Sequence, residues 1–185
     1  MPSHRPLQKD FDIIVAVDQA MGIGKGGKLP WKLSEDLKRF KTLTSHASSV
    51  GKQNAVIMGR KTWESLPVSA KPLPSRCNMI LTHRHSYVLP KGVFRAGSLT
   101  EALELFGSLE LKDRIDRIFV IGGQMVFEEA LKLPNCQRIY MTKIYKIFSC
   151  DTFFPPLSAS FKQEEASAVY TENSLSYSFV TYVRC

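Results

Sequence analysis

The sequence predicts an α/β domain in which a mixed, mostly parallel central sheet is flanked by helices and ends in an antiparallel C-terminal hairpin. Two observations predict this class. Short apolar runs bounded by turn residues alternate with segments of helical periodicity, as in chains that build parallel sheets. Residues 161–185 instead carry aromatic side chains on both sides of a polar break, which is typical of paired antiparallel strands.

Buried strands are predicted wherever an apolar run is too short for a helix and is bounded by turn residues. The runs are Ile13–Val17, Ala55–Met58, Met79–Leu81, Ile118–Ile121 and Ile139–Ile144. Continuous apolar runs indicate strands that are covered on both faces. We therefore expect the sheet to lie between layers of helix.

Helices are predicted from capping residues and from apolar spacing. Ser98 and Glu101 have the spacing of a capping box, and apolar residues follow at helical intervals. A second helix is predicted to begin at Ser34 and to carry Leu37 and Phe40. Both helices fall between predicted strands, as the α/β class requires.

Length and composition indicate one folded domain. The chain has 185 residues, of which 44% are hydrophobic and 23% charged, and this balance excludes disordered and fibrous chains. We predict a flexible tail over residues 1–9 and a single domain over residues 10–185. The net charge of +8 favours anionic ligands such as nucleotides, phosphates, carboxylates or nucleic acid, although it also serves solubility.

The cysteine and histidine positions predict no metal site. The four cysteines are far apart and form no C-x-x-C pair, and the histidines have no ligand spacing. Free thiols in a reducing compartment are expected. The N-terminal region lacks an apolar stretch long enough for a signal peptide or a membrane span. We therefore expect a soluble cytoplasmic protein with no membrane partner.

Glycine-containing junctions follow three of the predicted strands, at residues 22–27, 59–62 and 122–123. In an open α/β sheet, ligands bind beyond the carboxyl ends of the strands. The second and third junctions lead directly into helical patterns, so backbone N–H groups of two helix starts can face a polyphosphate. Each glycine alone is more often a simple turn. Together the junctions favour a dinucleotide.

Residues 22–28 also match the phosphate-binding-loop pattern G-x-x-x-x-G-K, which leaves a nucleotide kinase or an ATPase as an alternative. Two residues disfavour it. Leu29 lacks the hydroxyl that such a loop offers to magnesium, and Pro30 prevents the helix that must follow at once. The glycines indicate a mobile loop instead, of the kind that can form a lid over a site.

Two charged residues permit both a functional and a structural interpretation. Asp36 borders the apolar stripe of its helix, where burial would raise its pKa. It is also a first-turn acid, like Glu35, that can simply compensate the helix dipole. Arg76 opens a predicted strand and can be either an anion clamp or a solvated flank.

Several short motifs occur in a fixed order along the chain. They are Ile14-Val15-Ala16-Val17, Met21-Gly22-Ile23-Gly24-Lys25, Leu29-Pro30-Trp31 followed by Asp36 and Phe40, residues 56–65, Pro72-Leu73 with Arg76, Ile121-Gly122-Gly123, Thr142, and residues 151–155. This series closely resembles the dihydrofolate reductase family. The resemblance extends from residue 13 to residue 155, and the C-terminal hairpin is compatible with it.

The resemblance implies the family's fold and its reaction: NADPH-dependent reduction of 7,8-dihydrofolate to 5,6,7,8-tetrahydrofolate, which supplies one-carbon metabolism. A hydride reaches C6 of the pterin and a proton reaches N5. By this resemblance Asp36 is the ionisable side chain at the pterin, Thr142 bonds its carboxylate, and Trp31 holds a bridging water. The proton is then expected to arrive through water, with Asp36 favouring the protonated substrate.

The resemblance also implies the residues of the substrate site. Arg76 would bind the glutamate carboxylate in a bidentate manner, and the carbonyl groups of Ile14 and Ile121 would lie near the pterin and the nicotinamide. The implied substrate-binding residues are Ile14, Asp36, Leu37, Phe40, Leu66, Leu73, Arg76 and Ile121.

For the cofactor NADPH, the resemblance implies contacts along all three glycine junctions, with residues 22–28 as the lid and a cis peptide between Gly122 and Gly123. The implied residues are Ala16, Gly22, Ile23, Gly24, Lys25, Gly27, Lys28, Arg60, Lys61, Thr62, Thr82, His83, Arg84, Gly122, Gly123, Gln124, Met125, Val126 and Phe127.

Two departures from the family pattern concern the cofactor. Phe127 stands where many members have tyrosine, and His83 stands where arginine or serine often helps to hold the adenosine 2′-phosphate. A preference for NADPH over NADH would then depend on Arg60, Thr82 and Arg84.

Two further alternatives remain at this point. Riboflavin-pathway pyrimidine reductases resemble this architecture and use NADPH, but they lack the Leu29-Pro30-Trp31 and Asp36 combination. A nucleic-acid-binding module would explain the charge, yet the basic residues are scattered and no aromatic ladder accompanies them. We expect a monomer that needs no nucleic acid for activity.

Overall fold

The computed structural model describes residues 9–108 and 110–185. The tail predicted over residues 1–9 lies outside the described residues except for Lys9. The Lys9 ammonium donates to the carbonyl oxygens of Lys112, at 2.6 Å, and of Ile115, at 2.8 Å.

The chain alternates strands and helices. The strands are β1 (Phe11–Val17), β2 (Gly22–Gly24), β3 (Gln53–Gly59), β4 (Arg76–Leu81), β5 (Val93–Ala96), β6 (Ile115–Val120), β7 (Cys136–Ile144), β8 (Thr152–Phe153), β9 (Phe161–Ala166), β10 (Tyr170–Glu172) and β11 (Leu175–Arg184). The helices are α1 (Ser34–Ser45), α2 (Arg60–Ser65), α3 (Leu99–Gly107) and α4 (Gln124–Lys132), with a short 3₁₀ turn at Val68–Ala70.

The central sheet has the strand order β10-β11-β7-β1-β6-β3-β4-β5, and β9 also pairs with β11. From β5 to β7 all neighbours are parallel, whereas β11 runs antiparallel to β7, β9 and β10. The small strands β2 and β8 form a separate antiparallel pair. The predicted fold class is therefore confirmed, including the antiparallel C-terminal end.

Each apolar run predicted as a buried strand lies in β1, β3, β4, β6 or β7, and only Ile121 falls one residue beyond its strand. The capping box at the start of α3 also forms, since the Glu101 backbone N–H donates to Ser98 Oγ at 3.1 Å. The edge strand β5 and the short pair β2–β8 were not predicted. β5 exposes Phe94 and partly exposes Arg95, so its sequence lacks the apolar run that marks the inner strands.

The core fills both faces of the sheet. Ile13 and Ile57 pack with Phe106 of α3 on one face, whereas Ile14 packs with Trp63 of α2 on the other. Neighbouring residues of β1 therefore point to opposite layers, as strand geometry requires. This packing explains why the inner strands are apolar at every position. It also brings the carboxyl ends of β1, β3, β4 and β6 to the same edge of the sheet.

Within the described residues, no helix has both the length and the apolar composition needed to cross a membrane.

Candidate active site

The second and third glycine junctions are in direct contact at the carboxyl edge of the sheet. The Gly59 backbone N–H at the end of β3 donates to the carbonyl oxygen of Gly122 at 2.8 Å. The Gly122–Gly123 peptide is cis, as the resemblance implied. The two helices that follow these glycines, α2 and α4, therefore start side by side.

These glycines leave no room for side chains. A Cβ atom on Gly59 would lie 3.3 Å from Val126 Cγ2, and one on Gly123 would lie 3.3 Å from Thr62 Oγ1. Gly122 also has a φ of 125°, which residues with a side chain rarely adopt. The close packing of the two junctions therefore depends on glycine at these positions.

The starts of α2 and α4 carry no side-chain cap. Gly59 and Gly123 occupy the cap positions and offer no side-chain acceptor to the first N–H groups of each helix. Because uncapped helix starts attract anions, two of them side by side suit a ligand with more than one phosphate. The residues present thus fit a dinucleotide.

The predicted cofactor residues after β4 lie at the same edge of the sheet. The Thr82 backbone N–H donates to the carbonyl oxygen of Ala96 at 2.9 Å, and Thr82 Oγ1 accepts the N–H of Arg84 at 3.1 Å. His83 Nδ1 lies 3.7 Å from where a Cβ on Gly97 would be. The turn from residue 82 to residue 84 is therefore held by its own hydrogen bonds next to the start of α3.

Arg60, at the start of α2, already has a carboxylate partner. Its Nη1 atom donates to both carboxylate oxygens of Glu64, at 2.7 and 2.8 Å. The hydrogen bond from Arg60 lowers the pKa of Glu64. A phosphate that approaches Arg60 must therefore share its guanidinium with Glu64.

The first glycine junction forms a hairpin rather than a phosphate-binding loop. Lys25 and Lys28 exchange backbone hydrogen bonds of 2.9 and 3.0 Å around Gly26 and Gly27, whose φ values are 55° and 75°. The Gly26 N–H also donates to Asp151 Oδ2 at 2.7 Å. Because no helix follows directly, the nucleotide kinase alternative has no structural support.

Asp36 turns its carboxyl group towards the sheet. Thr142 Oγ1 donates to Asp36 Oδ1 at 2.6 Å, and buried Thr142 lies opposite Ala16 in the β1–β7 register. Burial raises the pKa of Asp36, although the Thr142 hydrogen bond and the positive charge of Arg39 act in the opposite direction. Exposed Glu35 instead pairs with Lys38. The two first-turn acids thus have different environments.

Trp31 carries an unsatisfied polar atom. The side chain is 7% exposed, and within the described part of the chain its buried Nε1 atom has no hydrogen-bond partner. The ring packs against Phe148 at a centroid distance of 5.4 Å. Because buried N–H groups are normally paired, this position suits a bridging water or a ligand atom.

The apolar residues predicted for the substrate site lie mostly in one cluster. Ile14 and Leu73 are buried in it, and Phe40, Leu66 and Ile121 are partly buried against it. Leu37 is different, because it is 51% exposed on the outer side of α1. Leu37 is thus the one apolar substrate-site candidate that the structure leaves largely exposed.

Arg76 is buried without a carboxylate partner. The residue is 8% exposed, its Nε atom donates to the Pro74 carbonyl oxygen at 2.9 Å, and its Nη1 atom donates to Thr44 Oγ1 at 2.8 Å. Among the described residues, no carboxylate lies within ion-pair distance of it. Burial lowers the pKa of Arg76. This environment excludes the solvated flank and favours an anion clamp.

Comparison with known proteins agrees with this geometry. Residues 10–184 match the family described as dihydrofolate reductase. The chain belongs to the dihydrofolate reductase family. It is 44% identical to the dihydrofolate reductase of Drosophila melanogaster over 154 residues, which cover 83% of each chain. The solved structure of Schistosoma mansoni dihydrofolate reductase has a TM-score of 0.85 and 38% sequence identity, covering 96% of this chain and 100% of that one.

Longer plant proteins also match. The bifunctional dihydrofolate reductase-thymidylate synthase of Glycine max is 45% identical over 181 residues, which cover 96% of this chain and 34% of that protein. The chain thus spans about a third of the length of the bifunctional plant relatives it matches. Membership of the dihydrofolate reductase family leaves the pyrimidine reductase alternative unsupported.

Several residues that shape the site of this dihydrofolate reductase family member were not among the sequence candidates. Thr44 bonds Arg76, Glu64 bonds Arg60, and Asp151 holds the Gly26 hairpin. A helical spacing of four places Thr44 one turn after Phe40 and Glu64 one turn after Arg60, so these two could have been found. Asp151 belongs to one of the motifs behind the resemblance, but its contact with Gly26, more than a hundred residues away, is not visible in the sequence.

Proposed function

We propose that this chain catalyses the NADPH-dependent reduction of 7,8-dihydrofolate to 5,6,7,8-tetrahydrofolate. The observation that carries the proposal is the partly buried Asp36 carboxyl, held by Thr142 at 2.6 Å beside an apolar cluster. A carboxylate in such a place can anchor a flat ring rich in N–H donors. Membership of the dihydrofolate reductase family supports the same reaction.

For NADPH, the proposed binding residues are those of the two joined glycine junctions and of the turn after β4. The uncapped starts of α2 and α4 would hold the diphosphate, and Arg60, Thr82 and Arg84 would hold the adenosine end. When bound, NADPH supplies the hydride that reduces C6 of the pterin. A side chain at Gly122 or Gly123 would press on Phe127 or Thr62 and disturb the backbone that would face NADPH.

Asp36 has two tasks in this proposal. Thr142 occupies one lone pair of Oδ1, which leaves the remaining carboxylate acceptor positions for the pterin 2-amino group and N3. The negative charge also stabilises a pterin that becomes cationic at N5. The proton itself would arrive through water, for which the unpaired Trp31 N–H offers a donor.

Arg76 completes the substrate site by binding the glutamate carboxylate. Two of its five N–H groups are used by Pro74 and Thr44, which fixes the orientation of the guanidinium. The others are available to a carboxylate, and the absence of a counter-ion among the described residues makes an incoming anion favourable.

The direct test is spectrophotometric. Purified protein is mixed with NADPH, and the loss of NADPH absorbance is followed with 7,8-dihydrofolate as the only acceptor. We expect oxidation that depends on dihydrofolate and yields tetrahydrofolate in equal amount. Folded protein that binds neither ligand, or that oxidises NADPH at the same rate without dihydrofolate, would overturn the proposal.

Replacing Arg60 by alanine is expected to narrow the preference for NADPH over NADH. A charge-assisted bond to the 2′-phosphate contributes roughly 1.5–3 kcal/mol, which corresponds to about a 10- to 100-fold change in discrimination. The measurement is kcat/KM with each cofactor. Glu64→Gln is the matched control, because it frees Arg60 from its partner and should keep or increase the preference. Unchanged discrimination in Arg60→Ala would refute the assigned role.

We also propose that the protein works as a monomer in the cytoplasm. All four cysteines are free, as expected in a reducing compartment, and Cys77 and Cys136 are buried. The proposed ligands are both small molecules, and each proposed contact comes from one copy of the chain. Sedimentation equilibrium at micromolar concentration would show a dimer if the monomer assignment is wrong.

A further inference from the structure

The first turn of α1 is capped by a residue from the far end of the chain. Leu33 occupies the cap position and has no side-chain acceptor. Glu172 supplies one instead: its Oε1 atom accepts the N–H of Ser34 at 2.7 Å, and its Oε2 atom accepts the N–H of Glu35 at 3.3 Å. A carboxylate at this place also compensates the positive end of the helix dipole.

Glu172 is held in place by a tight turn. It is the last residue of β10 and pairs with Leu175 of β11. Asn173 and Ser174 between them have positive φ values of 51° and 60°. The Asn173 side-chain amide donates to the carbonyl oxygen of Lys32 at 3.2 Å, which is a second link between this turn and the start of α1.

Asp36 belongs to the same helical turn. It follows the two residues whose N–H groups Glu172 occupies, and its own carboxyl turns away from them towards Thr142. We propose that Glu172 is a positioning residue for Asp36, holding the first turn of α1 and placing a second negative charge beside the catalytic one. This inference rests on the proposed function for its effect on catalysis, but its electrostatic part does not.

The charges around Asp36 act in opposite directions. Burial has the largest effect and raises the pKa of Asp36. Arg39, on the next turn of α1, lowers it, and the charge of Glu172 from β10 adds a smaller increase. Thr142 contacts Asp36 from β7 without a charge, and Glu35 lies next to it in α1. The charge of Asp36 adds to the burial that raises the pKa of Tyr177 in β11. The N–H groups of Ser34 and Glu35 lower the pKa of Glu172 itself.

The two carboxyl groups depart from their usual pKa values in opposite directions. The pKa of Glu172 is lowered, and the pKa of Asp36 is raised. The ionised Glu172 carboxylate opposes the formation of a second negative charge at Asp36. Its charge makes Asp36 a weaker acid, so the pH at which the Asp36 anion forms depends on a residue outside the proposed substrate and cofactor contacts.

The test is a ¹³C NMR titration of the Asp36 carboxyl carbon in the full chain, assigned with Asp36→Asn. Glu172→Gln keeps an acceptor for one N–H group of α1 but removes the charge. We expect it to lower the pKa of Asp36. Glu172→Asp, which keeps the charge, should leave the Asp36 pKa near the parent value. Glu164→Gln is the matched control, because it removes the same charge from β9, where Glu164 pairs with Arg138.

A structural role would give a different pattern. If Glu172→Gln unfolds at a temperature lower by about 2–4 °C while the pKa of Asp36 stays unchanged, Glu172 is only a cap and the proposal is wrong. An equal shift in Glu164→Gln would also overturn it, because the effect would then be one of net charge. If Glu172→Gln does not fold, Glu172→Ser, with an uncharged capping side chain, replaces it and must show the same downward shift.

Enzyme kinetics separate this inference from the proposed function. The apparent pKa of single-turnover hydride transfer should move in Glu172→Gln in the same direction as the NMR value. A parent protein with no activity would refute the proposed function, while the titration would still decide the role of Glu172. If Glu172→Gln changes the pKa of Asp36 measured by NMR but not the apparent pKa of hydride transfer, Glu172 does not act as a positioning residue in catalysis.

Discussion

Replacing Asp36 by asparagine is expected to slow hydride transfer by roughly 100-fold or more near neutral pH. Asparagine keeps nearly the same shape, and its Oδ1 atom can still accept the bond from Thr142, which is 2.6 Å long in the parent. What is lost is the negative charge that, in the proposed function, stabilises a cationic pterin. Because this charge matters most once N5 is protonated, the rate of the chemical step should fall more than substrate binding.

The loss should shrink as the pH falls. Acid supplies substrate that is already protonated in solution, so the variant then depends less on the missing charge. Single-turnover hydride transfer measured against pH for parent and variant checks this. Glu35→Gln is the control, because exposed Glu35 pairs only with Lys38 on the surface. A pH-independent loss in Asp36→Asn, or an equal loss in the control, would make Asp36 a dipole-compensating acid.

The same substitution is expected to stabilise the fold at neutral pH. Burial raises the pKa of Asp36 in the folded state above the value near 3.9 of an unfolded chain. The stability that Asp36 contributes is therefore fully present below about pH 3.9 and is lost as the pH rises through the folded pKa. Asparagine does not ionise, so the variant does not lose this stability as the pH rises. Thermal unfolding should thus favour the variant at pH 7, and the advantage should vanish in acid.

Local sequence patterns predicted most of the central sheet because its inner strands are buried on both faces. A strand such as β3, with Val56 and Ile57 packed on opposite sides, must be apolar throughout, and that run is visible without a structure. The capping box at Ser98 was visible for a similar reason, since both partners lie within one turn. Edge strand β5 is only partly buried, with Phe94 exposed, so its sequence has no continuous apolar run.

The site was harder to predict because the roles of its charged residues depend on partners that are distant in the sequence. The position of Asp36 in its helix fits a dipole-compensating acid as well as a catalytic one. The contact that favours the proposed catalytic role comes from Thr142, on a strand more than a hundred residues later. Arg76 was equally ambiguous until Thr44 and burial showed that it is not solvated. The family resemblance implied both assignments, and they stay predictions that this geometry supports.

The contact of Glu172 with α1 could not be predicted from the sequence. In the sequence Glu172 is one of several polar residues in a turn, and neither the resemblance nor any spacing assigns it to the site. Its importance comes from strand pairing, which returns the chain beside the start of α1. A cap supplied from so far away leaves no pattern at the helix itself, where Leu33 occupies the cap position.

Replacing Arg76 by leucine is expected to weaken 7,8-dihydrofolate binding by roughly 100-fold, about 3 kcal/mol, with a smaller effect on the chemical step. A guanidinium that binds a carboxylate through two hydrogen bonds cannot be replaced by an apolar side chain. Leucine leaves the carboxylate of the bound substrate without a partner. The measurement is KM and single-turnover rate for the parent and the variant.

The decisive control changes the substrate rather than the protein. A pterin analogue without the glutamate offers no carboxylate, so its binding should change little in Arg76→Leu. Thr44 makes this comparison sharper, because Thr44→Val removes the acceptor that orients Arg76 without removing the positive charge. It should therefore weaken dihydrofolate less than Arg76→Leu does, and again spare the analogue. Equal losses for both substrates in Arg76→Leu would mean that the buried guanidinium supports the fold through Pro74 and Thr44 and does not bind the substrate.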